Sequence, residues 1–312
     1  MKLQIITPKK NLDAFKSSNL ASNRLRMAYV YEAAKSLGFD IVGGKTIQDA
    51  DLYVVSKLTK EFDDIEAKKI ITELNNKRVI VDYTDDYLHI SSSKSSYYRE
   101  LTKSSIFVTP VEELTQKLNL IGVPAHTIPD GIDDYGVTEP NVHKHDRPEL
   151  LWFGHNSNIP SLVRALDGYL NQHVFNLHIV TDKSGHLRLG KAKFRSLPKC
   201  KITTYPFSID MVSKIAKTCD VCIIPTDKTY ASANRLVTAL NLGLPVLADE
   251  IPSYSRFGEY FLKFSVANVK KILFYPENYH KLVLSGQEAV QEEFSKDNLI
   301  GLWKEFLIKN IP

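Results

Sequence analysis

Two polar loops and one pair of carboxylates hold the residue types best suited to chemistry. The first loop, Gly154-His155-Asn156-Ser157-Asn158, follows the apolar run Leu151-Trp152-Phe153 and leads into a helical pattern. A glycine lets a ligand approach the backbone closely, and a helix start offers unpaired N–H groups to an anion. The same five residues would equally make a plain strand-to-helix turn capped by Ser157 or Asn158. The second loop places Ser232, Ala233, Asn234 and Arg235 where a helix through Leu236, Ala239, Leu240 and Gly243 should begin. With Ser232 as its N-cap, the N–H groups of Ala233 and Asn234 and the guanidinium fork of Arg235 would suit a diphosphate. A surface arginine in a salt bridge is the alternative. In the first half, Val79–Asp82 runs into Tyr83-Thr84-Asp85-Asp86-Tyr87. Asp85 or Asp86 at a strand end could take a proton from a hydroxyl, Asp85 being the preferred base, although Asp also forms ordinary turns. Asn23, Arg24 and Arg26 make a further polar group near the start of the first helix.

These residues need a scaffold, and the hydrophobic pattern supplies one. Short β-branched runs at Leu3–Ile6, Asp40–Val42, Leu52–Val55, Val79–Asp82 and Ile106–Thr109 alternate with helical patterns at 23–37, 63–74 and 111–121. Such alternation predicts βαβ units and a parallel sheet. Ser22 is expected to cap the first helix and Gly38 to close it. A second series follows, with strands at Leu150–Phe153, Leu177–Thr181, Ile202–Tyr205, Val221–Pro225 and Val246–Ala248. Its helices are expected at 159–170, 209–219 and 233–242. The fold class is therefore α/β, two Rossmann-like domains with parallel sheets facing a central cleft. The expected boundaries are 1–133, a linker at 134–149 around the polar, Pro-containing Thr138–Pro148, a second domain at 150–286, and a helical segment at 287–312 packing back across the junction. In open parallel sheets, ligands bind beyond the carboxyl ends of the strands, which is where the two loops and the carboxylate pair fall.

Composition removes several classes of function. The chain has 312 residues, 43% apolar and 24% charged, with no apolar run of membrane-spanning length. Three cysteines argue against a disulfide framework and for a reducing, cytoplasmic setting. Cys219 and Cys222 form a CxxC inside an apolar run without a second pair, which reads as core packing rather than a zinc site. His126, His173, His178 and His186 lack metal-ligand spacing, so no metal is expected. Residues 1–149 carry 20 Lys+Arg against 22 Asp+Glu, and residues 150–312 carry 20 against 14. A mild basic excess in the second half suits a phosphate-bearing small ligand, without the dense basic clusters of a nucleic-acid binder.

The chain resembles the GT-B glycosyltransferases, in particular their family 4 group. Val108-Thr109-Pro110-Val111-Glu112-Glu113-Leu114 followed by Ile128-Pro129-Asp130-Gly131-Ile132-Asp133 is similar to that group's interdomain signature. Asn234 through Ala248 resembles its donor-site helix, and Ser22-Asn23-Arg24-Leu25-Arg26 the opening of its acceptor-side domain. The resemblance implies that Gly154, His155 and Asn156 approach the phosphates of a nucleotide-sugar donor. It also implies that Thr181 and Phe207 lie near the nucleoside, that 230–235 touch sugar and diphosphate, and that Asn23, Arg24 and Arg26 serve the acceptor side. Two departures stand out: the family's glutamate pair falls on Tyr230 and Thr238, and Asp85 stands where its acceptor-domain histidine would be. The expected function is sugar transfer from a nucleotide sugar to a saccharide or lipid-linked acceptor, as in surface-polysaccharide assembly. No cofactor beyond the donor substrate is expected, no nucleic-acid partner, and peripheral membrane association is compatible with the acceptor. A nucleotide-sugar epimerase of the same fold and a non-catalytic nucleotide-sugar-binding protein are the alternatives.

Overall fold

The computed structural model describes every residue except 10, 19, 57, 59–61, 90–92, 134–138, 141–144, 192–199 and 312. Much of the expected linker, at 134–138 and 141–144, therefore lies outside the described residues. The chain divides into two compact units, Met1–Gly131 with Phe294–Pro312, and Ile132–Glu293.

The first unit holds six parallel strands: β1 (Lys2–Ile6), β2 (Asp40–Gly44), β3 (Leu52–Ser56), β4 (Val79–Asp82), β5 (Ser105–Thr109) and β6 (Ala125–Thr127), ordered β2-β1-β3-β4-β5-β6. Among the described residues the helices between these strands are α1 (Ala28–Ser36), α2 (Asp64–Glu73), α3 (Ser93–Leu101) and α4 (Glu112–Leu120). Strands β3 and β4 are buried along their whole length, as sheets covered on both faces require. Helix α2 starts with a reciprocal cap in which Asp63 accepts from the Glu66 N–H and Glu66 accepts from the Asp63 N–H.

The first helix departs from expectation at its start. Ser22 has helical backbone angles and makes no capping bond, and Asn23–Met27 winds as a π-helical turn leading into α1. Wide turns of this kind push side chains out of the regular helical register. Gly38 closes the helix at φ 76°, where a side chain would be strained.

The second unit carries β7 (Glu149–Gly154), β8 (Asn176–Thr181), β9 (Lys201–Pro206), β10 (Val221–Ile224), β11 (Val246–Ala248) and β12 (Leu262–Lys263). Their parallel order is β12-β11-β10-β7-β8-β9. The helices are α5 (Ile159–Ala165), α6 (Lys183–Lys191), α7 (Ile209–Ala216), α8 (Asn234–Asn241), α9 (Val266–Phe274) and α10 (His280–Phe294). Counting from β7, this is the 3-2-1-4-5-6 order of the Rossmann fold, and the order reverses between β7 and β10. Trp152, Leu162, Leu177, Ile179 and Val221 fill the core beneath that reversal. Cys219 and Cys222 are fully buried there, and burial pushes both thiols up, Cys219 to about 12.

The tail folds as two helices rather than one continuous segment. Ser295 separates α10 from α11 (Lys296–Lys309) and caps α11 by accepting from the Asn298 N–H at 3.3 Å. Helix α11 packs on α1. Among the described residues no helix is long and apolar enough to cross a membrane.

Candidate functional site

The reversal between β7 and β10 brings together the loops that follow them. Ser161, in α5, donates to Asp227 at 2.9 Å, and Lys228 Nζ donates to Ser157 Oγ at 3.3 Å. Arg164 binds the Thr226 carbonyl at 3.2 Å, Asp249 at 3.1 Å and Asp227 at 3.4 Å. Asp249 also accepts from the Thr226 N–H at 2.8 Å. The loops leaving three neighbouring strands are thereby cross-linked into one surface.

Within the loop Gly154–Asn158 the backbone donors turn inward. The Asn156 N–H goes to Asp182 Oδ2 at 2.9 Å, the Ser157 N–H to His155 Nδ1 at 3.3 Å, and the Asn158 N–H to the His155 carbonyl at 2.9 Å. His155 thus caps the short turn Asn156–Asn158, and Asn158, one of the two expected caps, holds the N-cap position of α5 without a side-chain capping bond. Asp182 also accepts from the Gly185 N–H at 2.9 Å and from Ser184, which in turn accepts from the Asn156 side chain. Burial works against its ionised form, but the bonds from Ser184, Asn156 and Gly185 prevail and hold the carboxyl down at about 2. The amides of Asn156, Ser157 and Asn158 are thereby bonded within an internal frame.

Thr181 belongs to that frame. It is 0% exposed and its hydroxyl donates to the Gly154 carbonyl at 2.8 Å, so its side chain has no surface for a nucleoside. Phe207 is half-buried and is placed by its N–H bond to the Thr181 carbonyl at 2.9 Å.

At the second loop, α8 begins at Asn234 with Ala233 in the cap position, and Ala233 makes no side-chain cap. Ser232 instead accepts from the Asn234 N–H at 3.2 Å, which occupies one of the two amides expected to meet phosphate. Arg235 is half-buried, and its Nη1 is buried without a hydrogen-bond partner. Its charge opposes the upward push that burial exerts on the Cys222 thiol and the Tyr254 hydroxyl, and the Tyr254 hydroxyl likewise lacks a partner. An unmade bond of this kind costs about 1–3 kcal/mol, so an anion acceptor at Arg235 would recover it.

In the first unit, Asp85 and Asp86 follow β4. Asp85 accepts from the Tyr87 hydroxyl at 2.8 Å. Asp86 is held by Lys117 at 2.6 Å and His89 at 2.7 Å; burial works against its charge, but these two bonds keep its carboxyl below the usual range. Asp86 is accordingly a structural anion and a poor base.

Arg26 is not presented to an acceptor. It is 0% exposed, paired through Nε with Asp82 and through Nη1 with Asp130 at 3.0 Å and the Ile128 carbonyl at 2.7 Å, and it lies 5.5 Å from the Trp303 ring. Burial pushes the Asp82 carboxyl up, while Arg26 and a 2.8 Å bond from Ser56 counter it. Arg24 and Asn23 are also buried, reaching the Ser18 carbonyl at 2.6 Å and the Ser18 hydroxyl at 3.2 Å. The π-helical turn turns all three polar residues inward.

Neither a protein-family model nor a curated protein sequence matches the chain. Solved structures do. Anabaena HepE, solved with UDP and glucose, shares 10% identity over 98% of this chain and 99% of its own, at a TM-score of 0.64. A glycosyltransferase from Rickettsia africae shares 14% over 98% of each chain, at 0.63. The phage T4 β-glucosyltransferase, solved with UDP-glucose, shares 12% over 100% of this chain and 99% of its own, at 0.63. The fold is that of the GT-B glycosyltransferases.

In that fold this chain's second unit is the Rossmann-ordered one; Gly154, His155 and Asn156 follow β7 and Arg235 follows β10, the two strands on either side of the reversal. Sequence reasoning missed Asp182, Lys228 and Arg188, whose Nη1 donates to the Asn156 carbonyl at 3.4 Å. Asp182 was legible as the first polar residue after the strand Leu177–Thr181; the two cations carry no local signal.

Proposed function

We propose that the chain is a nucleotide-sugar-dependent glycosyltransferase that moves a sugar from a uridine diphosphate donor to a saccharide or lipid-linked acceptor, in surface polysaccharide or glycoconjugate synthesis. The carrying observation is Arg235, an unpartnered guanidinium nitrogen at the head of α8, beside the strand-order reversal where Rossmann sheets bind ligands. UDP or UDP-glucose in HepE and the T4 enzyme supports uridine as the base. Gly154, His155, Asn156 and Phe207 complete the donor side, and Asp85 is the base that takes the acceptor's proton. Three free cysteines agree with a cytoplasmic setting.

The direct test is release of UDP from a panel of UDP-sugars, with and without oligosaccharide or lipid-linked acceptors. Transfer gives acceptor-dependent UDP release, whereas an epimerase would convert the sugar without acceptor. Calorimetry addresses the carrying residue. A charge-assisted bond contributes about 1.5–3 kcal/mol, so Arg235→Ala should weaken UDP binding about tenfold or more and leave uridine binding little changed. Equal losses for both ligands would show a distorted site, and no loss would remove Arg235 from it.

A further inference from the structure

Between Glu259 and Glu277 the sequence holds three lysines and no carboxylate. Helix α9 (Val266–Phe274) is the middle of that stretch, and its two faces differ. Val269, Ile272 and Leu273 are buried in the core of the second unit. The other face carries Val266, Ala267, Lys270, Lys271 and Phe274, all exposed, and 267, 270, 271 and 274 have the i, i+3, i+4, i+7 spacing of one helical stripe. Val266 is 69% exposed, Phe274 46% and the following Tyr275 53%. Lys263 is paired with Glu250 at 2.6 Å, whereas among the described residues neither Lys270 nor Lys271 has an ion pair. The loop before β8 extends the face: Val174 is exposed, and the neighbouring His173 ring lies 6.2 Å from that of Phe274. Burial and the Lys270 charge hold the His173 imidazole below its ordinary pKa, so it adds no charge at neutral pH. Phe274 ends α9 and Val174 leads into β8, so this end of the face lies at the amino ends of the strands, away from the carboxyl ends that carry Gly154, Asn156 and Arg235.

We propose that this face of α9, with Val174 and Tyr275, rests on the surface of an anionic lipid bilayer. A helix that joins exposed apolar and aromatic residues to lysines, without carboxylates, has the composition of one lying in a membrane interface, its rings at headgroup depth and its ammonium groups among the phosphates. Charge selects the lipid over a second copy of the chain. A two-fold contact through the same face would set Lys270 and Lys271 against their own equivalents, with no carboxylate of α9 to oppose them. An anionic bilayer opposes both. A lipid-linked acceptor resides on such a surface, so the contact would keep the chain where that acceptor is, while the face itself shares no residue with the proposed donor site.

The test is flotation of the full chain with vesicles of phosphatidylcholine alone and of phosphatidylcholine with phosphatidylglycerol. Wild type is compared with Lys270→Gln/Lys271→Gln, Val266→Ser/Phe274→Ser and, for charge elsewhere, Lys68→Gln/Lys69→Gln in α2. Wild type should float with the anionic vesicles and not with the neutral ones, more weakly as salt rises. A lysine near an anionic surface contributes about fivefold to partitioning, so Lys270→Gln/Lys271→Gln should weaken it about 25-fold. Val266→Ser/Phe274→Ser should weaken it about tenfold or more, and Lys68→Gln/Lys69→Gln should change it little. Both α9 lysines are exposed, so Lys270→Gln/Lys271→Gln should melt with wild type and read the contact free of misfolding. No binding of wild type to anionic vesicles, undiminished binding by the α9 variants, or an equal loss in Lys68→Gln/Lys69→Gln overturns the contact. A concentration-dependent dimer in sedimentation velocity that Val266→Ser/Phe274→Ser disperses also overturns it, because a second copy then covers the face. UDP calorimetry on the same variants should match wild type and judges the donor site separately.

Discussion

Asp85 and Asp86 are adjacent in sequence and are held by different partners. Asp86 faces Lys117 and His89, which stabilise its anion and remove the basicity a proton acceptor needs near neutral pH. Asp85 accepts from the Tyr87 hydroxyl at 2.8 Å and is the base in the proposed reaction. Replacing Asp85 with Asn preserves volume and removes the base, so turnover should fall about 10²–10⁴-fold, the usual worth of a general base. UDP affinity, which the proposed donor site assigns to the other unit, should be unchanged. Steady-state kinetics with parallel calorimetry checks this, and undiminished turnover would return Asp85 to a turn-forming role. Arg26 teaches the same lesson from the other side: at the head of a helix it reads as a ligand-facing cation, but internal partners define it.

At the scale of elements, the end of β8 frames the donor loop, and one glycine makes that frame fit. A Cβ on Gly185 would stand 2.2 Å from Thr181 Oγ1 and 2.8 Å from its Cγ2. Thr181 is fully buried and short, so relief requires moving α6 or rotating Thr181 away from the Gly154 carbonyl. Gly185→Ala should therefore lower both the melting temperature and UDP affinity. Gly190→Ala, on the same helix with nothing within 4 Å of its Cβ, should gain the ordinary helix preference of alanine, about 0.5–1 kcal/mol. Differential scanning fluorimetry with and without UDP separates the two variants, and equal behaviour would refute the steric account. Most of this architecture was legible because buried parallel strands read as apolar runs between helical patterns. Strand β6 has three residues, too few for a periodic signal, and α3, rich in serine and tyrosine, has a weakly apolar face. The break at Ser295 was hidden because apolar residues recur on both sides of it. The inward bonding of the donor loop was hidden for another reason: Asp182 lies 26 residues from the amide it holds.

The chain crosses from the first unit to the second after Gly131 and returns before Phe294, so the second unit is one continuous stretch and the first is completed by α11. That return has an energetic consequence. Leu299, Trp303, Phe306 and Leu307 are all buried, with α11 against α1 and Trp303 beside the guanidinium of Arg26. Removing a single buried tryptophan or phenylalanine side chain costs about 3–5 kcal/mol, and a whole domain is stable by only about 5–15 kcal/mol. Deleting 295–312 strips Trp303, Phe306 and two buried leucines and uncovers the Arg26–Asp82–Asp130 cluster, whose charges are tolerated only while paired in place. The first unit should then lose its cooperative unfolding transition near room temperature. The second unit keeps its six strands, its core and every proposed donor residue, including Arg235. The truncated chain should accordingly show one remaining calorimetric transition, raised by UDP, and bind UDP with unchanged affinity while failing to transfer sugar. Loss of UDP binding in step with the missing transition would mean that the donor site depends on the first unit, and would overturn its assignment to 132–293 alone.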